Sequence, residues 1–517
     1  MFEFSIARKY LIPRKKQLSA SLIAVLSVFV ISLVVWLLLV FLSVMDGIER
    51  RWMEKMTSLH APLRINPTPA YYASYYYQID AMSAASGFSS KTIGEKARAS
   101  LSDPYSPEED RELPKNIPSP EQLRDGSLKD PVKLAFSALE NLKKTRKDLT
   151  FQDYEMSGGL LRLELIRPDE IRSGERTHSY LTQVSYLASF PQKNPFLGDL
   201  LISPSEKDLS HVKFLREPSL EYFQLKDSTL PTHHRFGSGV LLPKSFQDGG
   251  VLIGDRGYIS YAATTTSSVQ EQRLSVYVAG FYDPGIMAVG NRCVLAPSAV
   301  VRAIHSSQGA YTLDRAQSNG IQVWIKECTA AESVKAELQA EFDRLGISRY
   351  WKISSFRDYD FAKDLLMQFQ SDKYLFTLIG SIILMVACCN IISLLVLLVN
   401  DKRREIGILQ AMGASGRSIA GIFALCGAAM GVLSCLIGTL AAVFTLQHID
   451  SLVKLLSFIQ GHEALNSIFY GKTLPHTPSQ DALLFVLIAT PLISLLAGLV
   501  PAVKASRLKP SEILRSE

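Results

Sequence analysis

No phosphate-binding loop of the form Gly-x-x-x-x-Gly-Lys-Ser/Thr occurs in the 517 residues. The only Gly-Lys-Thr, Gly471–Thr473, has Asn466 where the first glycine belongs and no strand before it, so ATP hydrolysis by this chain is not expected. The metalloprotease pattern HExxH and the Ser nucleophile elbow are also missing, and the adjacent His233 and His234 lack metal-spaced partners. The chain is therefore read as non-catalytic, with no cofactor or metal of its own. Cysteine is scarce at six residues. Cys388, Cys389, Cys426 and Cys435 fall in apolar runs as small packing residues, which leaves Cys293 and Cys328 as the one pair free to meet, a pairing that sequence leaves open.

The most telling scarcity is of charge within four long apolar runs. Leu18–Met45, Tyr374–Val399, Ile419–Leu446 and Ala482–Val503 are each nearly free of ionisable residues. Each is long enough to cross a hydrocarbon layer of ~30 Å, which takes ~20 helical residues. Polar residues inside them, Asn390, Ser381 and Ser393 among others, are uncharged, which gives little support to proton- or ion-coupled transport. Four transmembrane helices are expected.

Charge gathers at the ends of these runs. Arg8, Lys9, Arg14, Lys15 and Lys16 precede the first; Lys402, Arg403, Arg404 and Arg417 separate the second and third; Lys504, Arg507, Lys509 and Arg515 follow the fourth. The loop between the third and fourth runs holds only Lys454 and Lys472. The positive-inside rule then places both termini and the second loop in the cytoplasm. The net charge of +6 lies mostly in these clusters and suits anionic headgroups rather than nucleic acid. The first run is longer than a signal-peptide core and has no small-x-small site before Met45, so it reads as a retained anchor.

The resulting organisation is a cytoplasmic amphipathic lead (1–17), a first span (18–45), a large extracytoplasmic domain (46–372), a second span (374–399), a cytoplasmic loop (400–418), a third span (419–446), an outer loop (447–481), a fourth span (482–503) and a cytoplasmic tail (504–517). Within the large domain, Met45, Ile48, Trp52, Met56 and Leu59 recur at helical steps, and Phe361–Phe369 forms a second apolar helix leading into the second span. Segment 83–130 is rich in Ser, Pro and charge and is expected to be a mobile insert. The tyrosines at positions 71, 72, 75, 76 and 77 read as a packed aromatic cluster. From Gly239 onward, the runs GVLLPKSF, GDRGYISYAA, RLSVYVAGFYDPG, RCVLAPSAV and IQVWIK alternate as strands, and a helix follows with Val334, Leu338, Phe342 and Leu345 on one face. Strands followed by an amphipathic helix predict an α+β domain.

The second loop carries the most specific pattern, NIISLLVLLVNDKRREIGILQAMGASGRS over Asn390–Ser418. Ile406, Leu409 and Met412 recur every three residues, and Gly413 and Gly416 allow a turn before the third span. In that span Gly427, Gly431, Ser434 and Gly438 share a face suited to close helix packing. Together with ARKYLIPRKKQ and SVMDGIERR near the start and LVPAVKASRLKPSEILRSE at the end, these motifs resemble the lipoprotein-releasing ABC permeases of the LolC/LolE type, within the MacB/FtsX-like superfamily.

The resemblance implies a MacB-type periplasmic core-like domain between helices 1 and 2. It implies a permease subunit in the bacterial inner membrane, a second permease subunit, identical or not, and a separate cytoplasmic ATPase dimer holding ATP and Mg. The substrates would be lipoproteins extracted for outer-membrane sorting, passed on to a periplasmic carrier. Lys402, Arg403, Arg404, Glu405, Ile406, Leu409, Met412 and Gly413 would then contact the ATPase, and Met45, Ile48, Trp52, Leu365 and Phe369 would line the acyl-chain cavity. The chain departs from the family in two places. Residues 71–235 form a longer region without a match, and Ala263–Arg273 lacks the Pro-rich character of the LolC-type carrier-binding hairpin. An FtsX-like subunit that regulates an extracytoplasmic partner and a MacB-like exporter component remain the alternatives.

Overall fold

The computed structural model describes residues 18–165, 167, 179–214, 230, 236–264, 268–284, 290–308, 318–461 and 478–506. The chain divides into two units, Met53–Lys363 and the combination of Met1–Trp52 with Asp364–Glu517. The longer helices are α1 (Leu18–His60), α2 (Pro131–Thr145), α3 (Ser298–Gln308), α4 (Ala331–Leu345), α5 (Asp360–Asp401), α6 (Arg403–Ala411), α7 (Gly416–Gln447), α8 (Ile449–Gln460) and α9 (Gln480–Ser506). The strands are β1 (Leu63–Pro67), β2 (Thr150–Leu165), β3 (Ser179–Ser189), β4 (Leu201–Ile202), β5 (Ser238–Pro243), β6 (Arg256–Thr264), β7 (Val269–Tyr282), β8 (Cys293–Ala296), β9 (Asn319–Trp324) and β10 (Trp351–Ser355). Parts of α1, α5, α7 and α9 are apolar and long enough to be candidate membrane spans.

In Met53–Lys363 the strands close on themselves. β2 pairs with β3, β3 with β8, β8 with β5, β5 with β7, β7 with β6, and β6 returns to β2, which closes a six-stranded barrel. The expected α+β domain is not established by this topology, which is a barrel; β2 and β3, which complete it, lie within residues 71–235, the region without a match. β2 is long enough to serve two sheets. Its first residues pair with β9, which continues to β1 and β10, while Met156–Leu165 belong to the barrel. Leu161, Leu163, Leu187, Val240, Ile259 and Val278 fill the barrel core, and closure leaves few unpaired backbone edges. Helix α4 buries Val334, Leu338 and Phe342 and ends at Gly346, whose φ of 65° favours glycine.

Segment 83–130, expected to be a mobile insert, makes contacts with the tyrosine cluster. Tyr75, Tyr76 and Ile79 pack with Tyr105, Leu113 and Ile117. Tyr75 donates to Asp103 at 2.8 Å and Tyr76 to the Glu121 carbonyl at 2.7 Å, while buried Lys96 pairs with Asp80. The segment's polar residues thus act as anchors for the tyrosine cluster, whose Tyr71, Tyr75 and Tyr76 are buried. Cys293 and Cys328 are both free thiols, Cys328 lying 3.1 Å from the Thr57 hydroxyl.

Two features of this unit make measurable claims. A Cβ at Gly257 would sit 1.9 Å from the Arg162 carbonyl oxygen, across the β2–β6 seam that closes the barrel. Gly257→Ala should therefore destabilise the unit by about 1–3 kcal/mol, seen as a lower thermal midpoint of the purified full chain. Glu155 is 2% exposed; its carboxylate oxygens make no hydrogen bond of good geometry among the described residues, and its nearest cation, Arg302, stands 3.7 Å away. Burial pushes its carboxyl above the usual range, with Thr92 and Arg302 pulling the other way. A carboxyl raised in the folded state costs stability once it ionises, and that cost disappears below its unfolded value of 4.5. Glu155→Gln should thus be more stable than the parent at pH 7, with the gap closing as pH falls toward 4; an equal gap at both pH values would contradict this.

Candidate functional site

α5 ends at Asp401, and α6 begins at Arg403, with Lys402 between them as its cap. Lys402 is only 6% exposed, and its ammonium donates to Glu405 at 2.7 Å. Ile406 is 1% exposed and packs with Val399 of α5, Ile419 and Phe423 of α7, and Ala502 of α9. The apolar burial fastens the short helix to the ends of three long ones. Gly413, at φ 99°, then turns the chain, and the Ser415 hydroxyl accepts from the Ser418 amide to cap α7.

This geometry redraws the expected contact face. Ile406 has no surface left for a partner, and buried Lys402 has little, so both are corrections to the contact set. Arg403, Arg404, Glu405, Met412 and Gly413 remain exposed and Leu409 is half-buried. Ile408, which the every-third-residue pattern passed over, is 46% exposed, and Met412 is 81% exposed. Arg404, Ile408 and Met412 stand four apart, so α6 offers a cationic and apolar stripe on one face. The missed clue was the four-residue spacing, which competes with the three-residue one in the same nine residues.

The membrane unit is assembled through close backbone seams. A Cβ at Gly427 would lie 2.8 Å from the Ser494 carbonyl oxygen, and one at Gly431 would lie 2.5 Å from the Ser494 Cβ. Both glycines therefore seat α7 against α9. Gly438 faces another helix instead: its Cβ would meet Val35 at 2.6 Å and the Ser32 carbonyl at 2.7 Å in α1. Small residues let van der Waals packing act where lipid supplies no hydrophobic drive between helices. Trp36 adds a hydrogen bond to Thr445 at 2.8 Å, and Lys373 pairs with Asp46 at 3.0 Å.

Of the residues expected to line a cavity, Trp52, Phe369 and Ile48 make side-chain contacts within this chain. Trp52 is 5% exposed and meets Phe369 edge-on, with ring centroids 5.5 Å apart. Ile48 packs beside Leu446 and Ile449, and Met45 is half-buried. The Leu365 side chain lies outside the described residues, as do His233, His234 and Gly471–Thr473.

Residues 377–510 match the family described as the FtsX-like permease C-terminal domain. The chain is 32% identical over 132 residues to the lipoprotein-releasing system transmembrane protein LolE of Haemophilus influenzae, which covers 25% of this chain and 32% of that protein. It is 26% identical over 242 residues to LolC of Neisseria meningitidis, covering 46% and 55% of the two chains. With a LolC of Xylella fastidiosa it shares 22% over 271 residues, covering 52% and 62%. The matched part thus spans between a third and three-fifths of these relatives' lengths. The sequence resembles ABC permeases of the LolC/LolE type.

The seam geometry is directly testable. Gly431→Leu should strongly reduce recovery of folded protein from membranes, whereas Val432→Leu, at a neighbouring position that is 46% exposed, should leave it unchanged. Equal recovery of both variants, read by gel-filtration yield, would mean that the α7–α9 seam does not need a small residue.

Proposed function

We propose that the protein is a non-catalytic permease subunit of an ABC transporter, in which a separate ATPase drives extraction of lipoproteins from the inner membrane. The observation that carries the reading is α6. Its buried Ile406 fixes it to α5, α7 and α9, while Arg403, Arg404, Ile408 and Met412 face outward. A partner that pushes on such a helix moves three membrane helices together, because the cluster is close-packed. The match of 377–510 to the FtsX-like permease family covers this helix, and the LolC and LolE relatives supply lipoprotein release as the substrate class.

In this reading both termini and α6 are cytoplasmic and Met53–Lys363 is extracytoplasmic, following the distribution of Lys and Arg. ATP and Mg belong to the partner ATPase dimer. A second permease subunit completes the assembly, and Met45, Ile48, Trp52, Leu365 and Phe369 would border acyl chains only in that assembly.

Charge reversal of Arg403 and Arg404 combined with Ile408→Asp should abolish co-purification of an ATPase while preserving the yield of the permease. The triple variant leaves Ile406 in place, so loss of partner is separable from loss of fold. Full recovery of the ATPase would exclude α6 as the docking element. Lipoproteins in the parent preparation support extraction, whereas a soluble hydrolase without lipoprotein would favour an FtsX-like regulatory role.

A further inference from the structure

Between α7 and the residues before α9 the chain was expected to be only an outer loop, yet it forms the 12-residue helix α8. Ile449 is 4% exposed and, with Leu446, packs against Val40, Val44 and Ile48 of α1 and against Val453. The opposite side is unusually apolar for a water-facing surface. Leu452, Leu455 and Ile459 recur at three- and four-residue steps and are 51%, 59% and 71% exposed; beside them Phe458 is 86% exposed. Ser451 falls on this stripe between Leu455 and Phe458, and Lys454 lies at its edge beside Phe458.

We infer that α8 lies in the membrane interface, with Leu452, Leu455, Phe458 and Ile459 inserted among phospholipid acyl chains at the outer end of α1. The occupant follows from continuity. α8 begins where α7 ends, and α7 exposes Leu433, Leu436, Leu440 and Phe444 along its preceding turns. The level follows from the packing partners. Val44 and Ile48 bracket Asp46, whose ion pair with Lys373 marks where the apolar runs of α1 and α5 give way to charge. Four residues of helix rise about 6 Å. That is comparable to the depth, about 5–10 Å, to which amphipathic interfacial helices sink their apolar face. Phe at the boundary and Lys on the polar flank are the residue types such a helix uses. The inference rests on the membrane-spanning reading of α7.

The test uses the full chain in phosphatidylethanolamine–phosphatidylglycerol nanodiscs, with p-benzoylphenylalanine replacing Leu455, Phe458, Lys454 or Leu436 one at a time. After irradiation, mass spectrometry identifies the adduct. Phospholipid adducts are expected at positions 455 and 458 and at the mid-span position 436, with yield several-fold lower at 454. Adducts to a second copy of the chain at 455 and 458 would overturn the inference and make this face a subunit contact. So would the absence of lipid adducts there while position 436 gives them. No lipid adduct even at 436 would remove the membrane reading itself and the inference with it.

Discussion

Ile406 is a single apolar side chain, but its position makes the rest of the membrane unit mechanically coherent. It lies among Val399, Ile419, Phe423 and Ala502, that is, at the adjoining ends of α5, α7 and α9. A nine-residue helix has little stability alone, since nucleation is costly and few bonds repay it. Tertiary burial must therefore hold α6 in place, and Ile406 supplies it together with the Lys402–Glu405 contact. An external load on Arg404, Ile408 or Met412 is then borne by packed side chains instead of a flexible turn. The glycine seams extend the same logic: Gly427 and Gly431 bring α7 to backbone distance of α9, and Gly438 brings it to α1.

A different constraint shapes Met53–Lys363. β2 runs for 16 residues and belongs first to the sheet with β9, β1 and β10, then to the barrel. Side chains alternate along a strand, so its barrel half must be apolar inward and polar outward. Leu161 and Leu163 are fully buried, and Arg162 stacks over Tyr180 on the outside. The glycines at 159 and 257 permit the close approach of strands that closure demands, each facing atoms nearer than a Cβ could tolerate.

The four apolar helices were legible because length and absence of charge are properties of contiguous residues. The later strands and α4 were legible for a related reason: their alternation or helical period is local, and turn residues bound them. β2 and β3 were not, although they complete the barrel. Thr150–Leu165 holds Glu155, Arg162, Glu164 and a Gly-Gly pair, which break the apolar alternation that marks a strand. What makes the segment a strand is pairing on both sides, from Leu165 with Ser179, 14 positions away, to Thr150 with Trp324, 174 positions away, and most of that information is absent from a short window. The inward turn of Ile406 was hidden for a similar reason. Two faces of α6 are apolar, and only the packing of α5, α7 and α9 decides which is covered.

The same contrast separates α6 from α8. Both are short amphipathic helices at the ends of α7, and each buries one isoleucine against longer helices. Their exposed faces differ in chemistry. α6 places Arg403 and Arg404 beside Ile408 and Met412, a mixed surface suited to a protein partner whose charges can pair with it. α8 exposes Leu452, Leu455, Phe458 and Ile459 in succession, with no cation inside the stripe. An apolar face of that kind has a low-energy environment in acyl chains without any protein to cover it. In this arrangement α7 would be held at one end by a partner that moves and at the other by a bilayer that does not. Displacement of α6 would then tilt or bend α7 instead of translating it, and Gly427, Gly431 and Gly438 lie along the segment that must accommodate the change.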